Sequence, residues 1–172
     1  MRSISSIIDH TLTWSQPKVF SQSYELRFGD EFVATMTFPK NFSNLAMAHT
    51  ADGDWSYERT GMFRQKILIR SQNSDEVIAE YQPNPWSNSG TLELPQGKRV
   101  VYRASAFRSK SMILTESGEE LIHYVNEGIF RSTTKITMNR RVLHFHDLPM
   151  LVMFGFYLIV MSQRDSAAAA TA

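Results

Sequence analysis

The sequence predicts an all-β fold: a closed antiparallel barrel of about twelve strands enclosing one hydrophobic C-terminal α-helix. Three observations carry this. From residue 11 to 146 the apolar residues recur with period two, and short clusters of Gly, Asn, Asp, Ser and Pro interrupt them, the pattern of many short antiparallel strands. From Leu148 to Met161 the chain is instead apolar on every side, so a helix there must be covered all round. Those fourteen residues span about 21 Å at the helical rise, whereas a bilayer core of about 30 Å asks for about twenty, so the protein's own strands are the expected container. No linker or shift of composition divides the 172 residues, and residues 1–172 read as a single barrel domain.

The strands follow in order. A short opening strand is placed around Thr11 to Trp14. Tyr24 to Phe28 and Phe32 to Phe38 flank Gly29-Asp30-Glu31, a hairpin loop with glycine available for positive φ, and Pro39 ends the second strand. Leu45 to His49, Trp55 to Arg59 after Ala51-Asp52-Gly53-Asp54, and Phe63 to Arg70 after Gly61 give three more. Val77 to Tyr81 runs into Pro83-Asn84-Pro85, where a strand cannot continue because two ring nitrogens lack a donor. Thr91 to Leu94 pairs with Arg99 to Arg103 across Pro95-Gln96-Gly97-Lys98, and Met112 to Thr115 with Leu121 to Val125 across Glu116 to Glu120. Ile129 to Met138 and Val142 to Phe145 complete the set.

The helix is placed at about 148–162, with Asp147 as its cap, Pro149 in the first turn and a tail at 163–172. Leu151, Phe154, Gly155, Tyr157 and Leu158 are its expected buried residues. Gly155 costs about 1 kcal/mol relative to alanine in mid-helix, which points to a strand or large side chain pressed against the backbone there. Tyr157 needs one buried partner for its hydroxyl.

The absence of cysteine excludes disulfides, thiolate metal sites and cysteine nucleophiles, and fits a reducing, cytoplasmic location. The N-terminus reads as no secretory signal. A formal net charge of +1 suggests no polyanion partner overall, yet residues 97–141 hold nine basic against four acidic side chains. From these, Arg99, Arg103, Arg131, Lys135, Arg140 and Arg141 are the candidate anion-binding set, able to hold lipid head groups at about 1 kcal/mol per basic residue close to the membrane. The competing reading is the ordinary solvent face of antiparallel strands. His144 and His146, at i and i+2 on a strand, with His123, weigh as zinc ligands, but no fourth ligand is identifiable and no metal or cofactor is assigned. Trp14, Trp55, Trp86, Phe107 and Phe130 weigh as membrane-contacting rings or base-stacking platforms against ordinary packing, and nucleic acid is disfavoured. No nucleophile elbow, phosphate-cradling loop or His-Glu-x-x-His helix is present, so no catalytic residue is assigned and no enzyme is expected.

Twelve strands and one apolar helix, with Ala51-Asp52-Gly53-Asp54-Trp55-Ser56-Tyr57, Gly90-Thr91-Leu92-Glu93-Leu94 and the Leu151 to Leu158 segment, resemble the tubby-like barrel superfamily. That superfamily joins tubby C-terminal domains, LURP-one-related proteins and phospholipid scramblases, and the likeness is to an uncharacterised bacterial branch. It implies a helix threaded through a closed barrel. It also suggests phosphoinositide-like head groups as ligands, without residue positions that carry over; calcium-driven scrambling is not implied, since the cysteine cluster and a calcium loop are absent. The expected function is therefore non-enzymatic binding of anionic phospholipid or a membrane surface by the basic strand face, peripheral at the inner face of the membrane. The alternatives are an integral membrane protein anchored by the last helix, and a small-ligand or protein-interaction barrel, against which the helix filling the interior counts.

Overall fold

The computed structural model describes residues 1–17, 21–39, 43–62, 65–127 and 133–170. Twelve strands follow a short 3-10 turn at Ile4–Ile7: β1 Leu12–Ser15, β2 Ser23–Phe28, β3 Glu31–Thr37, β4 Leu45–Thr50, β5 Gly53–Thr60, β6 Lys66–Ser71, β7 Val77–Pro83, β8 Ser89–Glu93, β9 Arg99–Ala104, β10 Lys110–Thr115, β11 Glu120–Glu127 and β12 Thr133–Met138. Each pairs antiparallel with its neighbours in sequence, and β1 pairs with β12, with Leu12 opposite Ile136, to close the barrel. The helix, α1, runs Leu148–Ala170 through the middle.

The opening strand is thus real, and β7 stops at Pro83 as its prolines require. The expected strand at Val142 to Phe145 is not formed. Arg140–His144 is a 3-10 turn, begun by the Asn139 side chain accepting from Arg141 N at 3.0 Å. The physical reason is closure: β12 already has β11 on one side and β1 on the other, so no edge remains for another strand to join. The expected starts at Phe63 and Ile129 fall on or beside residues outside those described, and β6 and β12 are observed from Lys66 and Thr133.

Because the strands alternate in direction, the barrel has two distinct rims. The N-terminal segment, the 140–144 turn and the start of α1 lie at one, and α1 leaves through the other. Thirteen residues of α1 between Leu148 and Met161 are buried, which accounts for a run apolar on every side. The helix is longer than expected, and its alanine-rich end from Asp165 stands exposed outside the barrel.

Tyrosine hydroxyls fix the helix within its sheath. Tyr57 Oη donates to Met150 O at 3.0 Å, and Tyr124 Oη lies 3.2 Å from Leu151 O and 3.1 Å from Val152 O. Tyr157 Oη donates to Asn44 O at 2.5 Å, the partner its burial demands. A Cβ at Gly155 would stand 2.3 Å from Tyr124 Oη, so the glycine is there for the close approach of that ring. Trp14 stacks on Phe156 with centroids 4.1 Å apart. The helix packs against β4 and β5, where Ala46 and Ala48 point inward, and against β10 and β11 on the opposite wall. The rings of Trp14, Tyr24 and Phe38 fill the β1 to β3 side around it, and a gap is left on the β6 to β9 side.

Candidate functional site

The expected basic set does not form one uncompensated patch. Arg99 and Arg103 are exposed on β9 and Lys135 on β12, with Met112 and His123 of the two intervening strands in the register between Arg103 and Thr137. Arg140 and Arg141 belong to the 3-10 turn at the other end of the molecule from where α1 emerges. Most carry a carboxylate partner: Arg99 with Glu93 at 3.8 Å, Lys135 with Glu127 at 2.9 Å, Arg140 with Asp9 at 2.7 Å and Arg141 with Glu119 at 2.7 Å. Arg103 has no such partner among the described residues, and Arg131 lies outside them. His144 is in the turn rather than on a strand, and His123 faces Glu120 at 3.7 Å on β11. Among the described residues no cluster of His, Asp and Glu could hold a metal ion.

The feature that stands out is the rim where α1 emerges. Three adjacent connections there each raise one large apolar side chain into solvent: Met62 between β5 and β6, 90% exposed; Trp86 between β7 and β8, 92%; and Phe107 between β9 and β10, 95%. Two of these connections are built turns. Asn84 Oδ1 accepts from Trp86 N at 3.0 Å, and Asn84 N donates to Ser89 O at 2.8 Å. In the other, Arg108 N donates to Ser105 O at 2.9 Å, Arg108 takes a positive φ, and Asn126 Nδ2 holds its carbonyl at 2.8 Å. The rings stand out because the backbone beneath them is fixed by hydrogen bonds.

Beside these projections a half-open cleft of about 610 Å³ lies between the helix and β6 to β9. Its apolar wall consists of Tyr81, Tyr102, Leu158, Ile159 and Met161, with Phe107 at the lip. Gly90 makes room for Tyr81, whose hydroxyl lies 2.3 Å from where a Cβ would stand. Burial raises the pKa of both tyrosines, so they face the cleft as neutral phenols. A polar collar surrounds the opening. Arg59 binds Asp165 through two bonds of 2.7 and 3.0 Å, and this hydrogen bonding raises its pKa further. Lys66 pairs with Glu80 at 2.9 Å, and Arg108 donates to Ser162 on the helix.

Strand parity extends this asymmetry to the whole sequence. The segments joining each odd strand to the next even one, 16–22, 38–44, 61–65, 84–88, 105–109 and 128–132, contain Lys18, Lys40, Arg64, Arg108 and Arg131 and no acidic residue. Each also contains an aromatic ring. Of those basic residues only Arg108 belongs to the described part of the chain. The segments at the other rim, 29–30, 51–52, 72–76, 94–98, 116–119 and 139–147, hold seven acidic and three basic residues. Of the Phe-Arg pairs in the sequence, Phe107-Arg108 lies at this rim, while Phe63-Arg64 and Phe130-Arg131 lie outside the described residues.

Of the five aromatic candidates, Trp14 is core, Trp55 packs against the core from a partly buried position, and Trp86 and Phe107 are exposed; Phe130 lies outside the described residues. Among the described residues no helix is long and apolar enough to cross a membrane, and the buried stretch of α1 is enclosed by strands. No family model, curated protein or solved structure matches this chain.

Proposed function

We propose that the protein is a binding module, without chemistry of its own, that docks on anionic phospholipid surfaces rim-first. The observation that carries this is the set of three apolar side chains, Met62, Trp86 and Phe107, held almost fully exposed on neighbouring connections of one rim. Large apolar groups displayed together by ordered turns mark an interaction surface, and Trp in particular favours the membrane interface. The basic, acid-free composition of the segments joining odd to even strands supports an anionic rather than a neutral surface, each cation near lipid contributing about 1 kcal/mol. This reading keeps the anionic-lipid expectation and moves its seat from the strand face to the rim. The tubby-like resemblance agrees in ligand class and in the helix-filled barrel.

Co-sedimentation with vesicles tests it. Binding to phosphatidylcholine vesicles containing phosphatidylserine is expected to exceed binding to phosphatidylcholine alone and to weaken with salt. Met62→Ser with Trp86→Ser and Phe107→Ser is expected to abolish it. Arg140→Glu with Arg141→Glu, at the far rim, is expected to leave it intact. Equal binding to neutral vesicles, or full binding by the triple variant, overturns the proposal.

A further inference from the structure

We infer that the cleft beside the rim takes a single alkyl chain of an anionic amphiphile, with its carboxylate or phosphate at the collar formed by Arg59, Lys66 and Arg108. This deepens the docking proposal and rests on it for how the ligand arrives. Occupation of the cleft is a separate matter.

The first ground is shape. A barrel of twelve strands is wider than one helix; the rings of Trp14, Tyr24 and Phe38 fill the space on the β1 to β3 side, and about 610 Å³ is left open on the side lined by β6 to β9. That volume falls in the range of small-molecule sites. The second is chemistry. The wall is made of ring faces and aliphatic groups, Tyr81, Tyr102, Leu158, Ile159 and Met161, and no titratable group other than neutral phenols lies among them. Such a wall suits a hydrocarbon chain. The third is charge. Of the three cations in the lining, Arg59 is held by Asp165 and Lys66 by Glu80, while Arg108, bonded to Ser162, has no carboxylate partner among the described residues, so a ligand's anionic end meets one uncompensated positive charge flanked by two paired ones. The fourth is continuity: Phe107 is both a projection of the rim and the lip of the cleft, so a chain leaving a lipid layer at the rim meets the opening directly.

The test uses the full chain and cis-parinaric acid, a fluorescent long-chain fatty acid, without vesicles. Saturable one-to-one binding is expected, and its uncharged methyl ester is expected to bind about tenfold more weakly. Two variants fill the cleft from opposite sides: Leu158→Trp from the helix, and Ala104→Phe from β9, one pleat beyond Tyr102 on the same face. Each is first checked for native circular dichroism. At least one folded variant is expected to lose parinarate binding while still sedimenting with anionic vesicles. Met62→Ser with Trp86→Ser, residues outside the cleft lining, is expected to do the reverse. Vesicle binding without parinarate binding overturns this inference and leaves docking standing. Parinarate binding without vesicle binding overturns docking alone. Undiminished parinarate binding in folded cleft-filling variants, or equal affinity for acid and ester, also overturns the inference.

Discussion

The two rims of the barrel are made from the same kinds of side chain put to opposite use. At the rim where α1 begins, most apolar residues turn inward, Met1, Val77 and Leu143 excepted: Ile4 and Ile7 of the N-terminal turn, Val142 of the 140–144 turn and Leu148 all close the barrel with no exposed surface to speak of. Polar contacts bind the plug in place, with Ser3 Oγ and Ile4 N on the Asp52 carboxylate at 2.6 and 3.0 Å, Arg2 on Glu31 and Arg140 on Asp9. At the rim where α1 leaves, Met62, Trp86 and Phe107 turn outward and a cleft stays open. The difference teaches which end holds the fold together and which end is free to meet something else.

Matched alanine substitutions give the largest contrast. Ile4→Ala and Ile7→Ala are each expected to cost about 2–5 kcal/mol, because a buried aliphatic side chain is removed from a plug that cannot close over the cavity. Met62→Ala, Trp86→Ala and Phe107→Ala are expected to stay within about 0.5 kcal/mol of the wild type, as exposed positions do. Urea denaturation of the five variants checks this. Comparable losses at both ends would mean that the projecting side chains serve the fold, and the contrast between the rims would collapse.

Between the rims, the helix should be intolerant at one position in particular. Gly155→Ala gains about 1 kcal/mol of helix propensity but places a Cβ 2.3 Å from Tyr124 Oη and 2.4 Å from Tyr124 Cζ, overlap that typically costs about 1–3 kcal/mol. A net loss is expected. Adding Tyr124→Leu, which removes the ring, should make the alanine neutral or favourable in that background, so a double-mutant cycle by thermal or urea unfolding separates steric overlap from any other cause. Additive effects would show that the ring and the glycine do not meet.

Much of the fold could be read from residues 11 to 161, and the physical reasons are local. An apolar run with no polar side needs total enclosure, and Gly155 in a helix points to a strand or large side chain against the backbone, which the structure identifies as Tyr124. The Val142 to Phe145 strand was misread because the local pattern contains nothing about closure: whether another strand has an edge to join depends on β1 meeting β12. The site was less legible for two related reasons. Which connections share a rim follows from strand alternation, but which of the two rims is covered depends on the N-terminal turn Ile4–Ile7 packing over the end where α1 begins, a contact between residues far apart in sequence. The basic residues looked like a patch because their partners are distant in sequence. Arg140 finds Asp9 only when the chain ends meet, and Arg141 finds Glu119 across the turn before β11.

The smallest effect tests that last pairing. Arg140 Nε and Nη2 donate to the two oxygens of Asp9 at 2.8 and 2.7 Å, and this hydrogen bonding holds the Asp9 pKa below its ordinary 3.8. A carboxyl whose pKa is depressed by folding contributes stability that is present above the unfolded value and lost as pH falls through the folded one. Stability at the closed rim is therefore expected to decline below about pH 4, on top of the decline from other paired carboxylates such as Glu80, held down by its bond to Lys66. Both Asp9 and Arg140 are exposed, so the contribution is slight and screened by salt. Asp9→Asn should flatten the acid limb of the denaturation midpoint against pH while leaving vesicle binding at neutral pH untouched, because the pair stands at the rim away from Met62, Trp86 and Phe107. An unchanged acid limb would show that the pair does not hold the plug. Altered vesicle binding would show that the two rims communicate across the barrel.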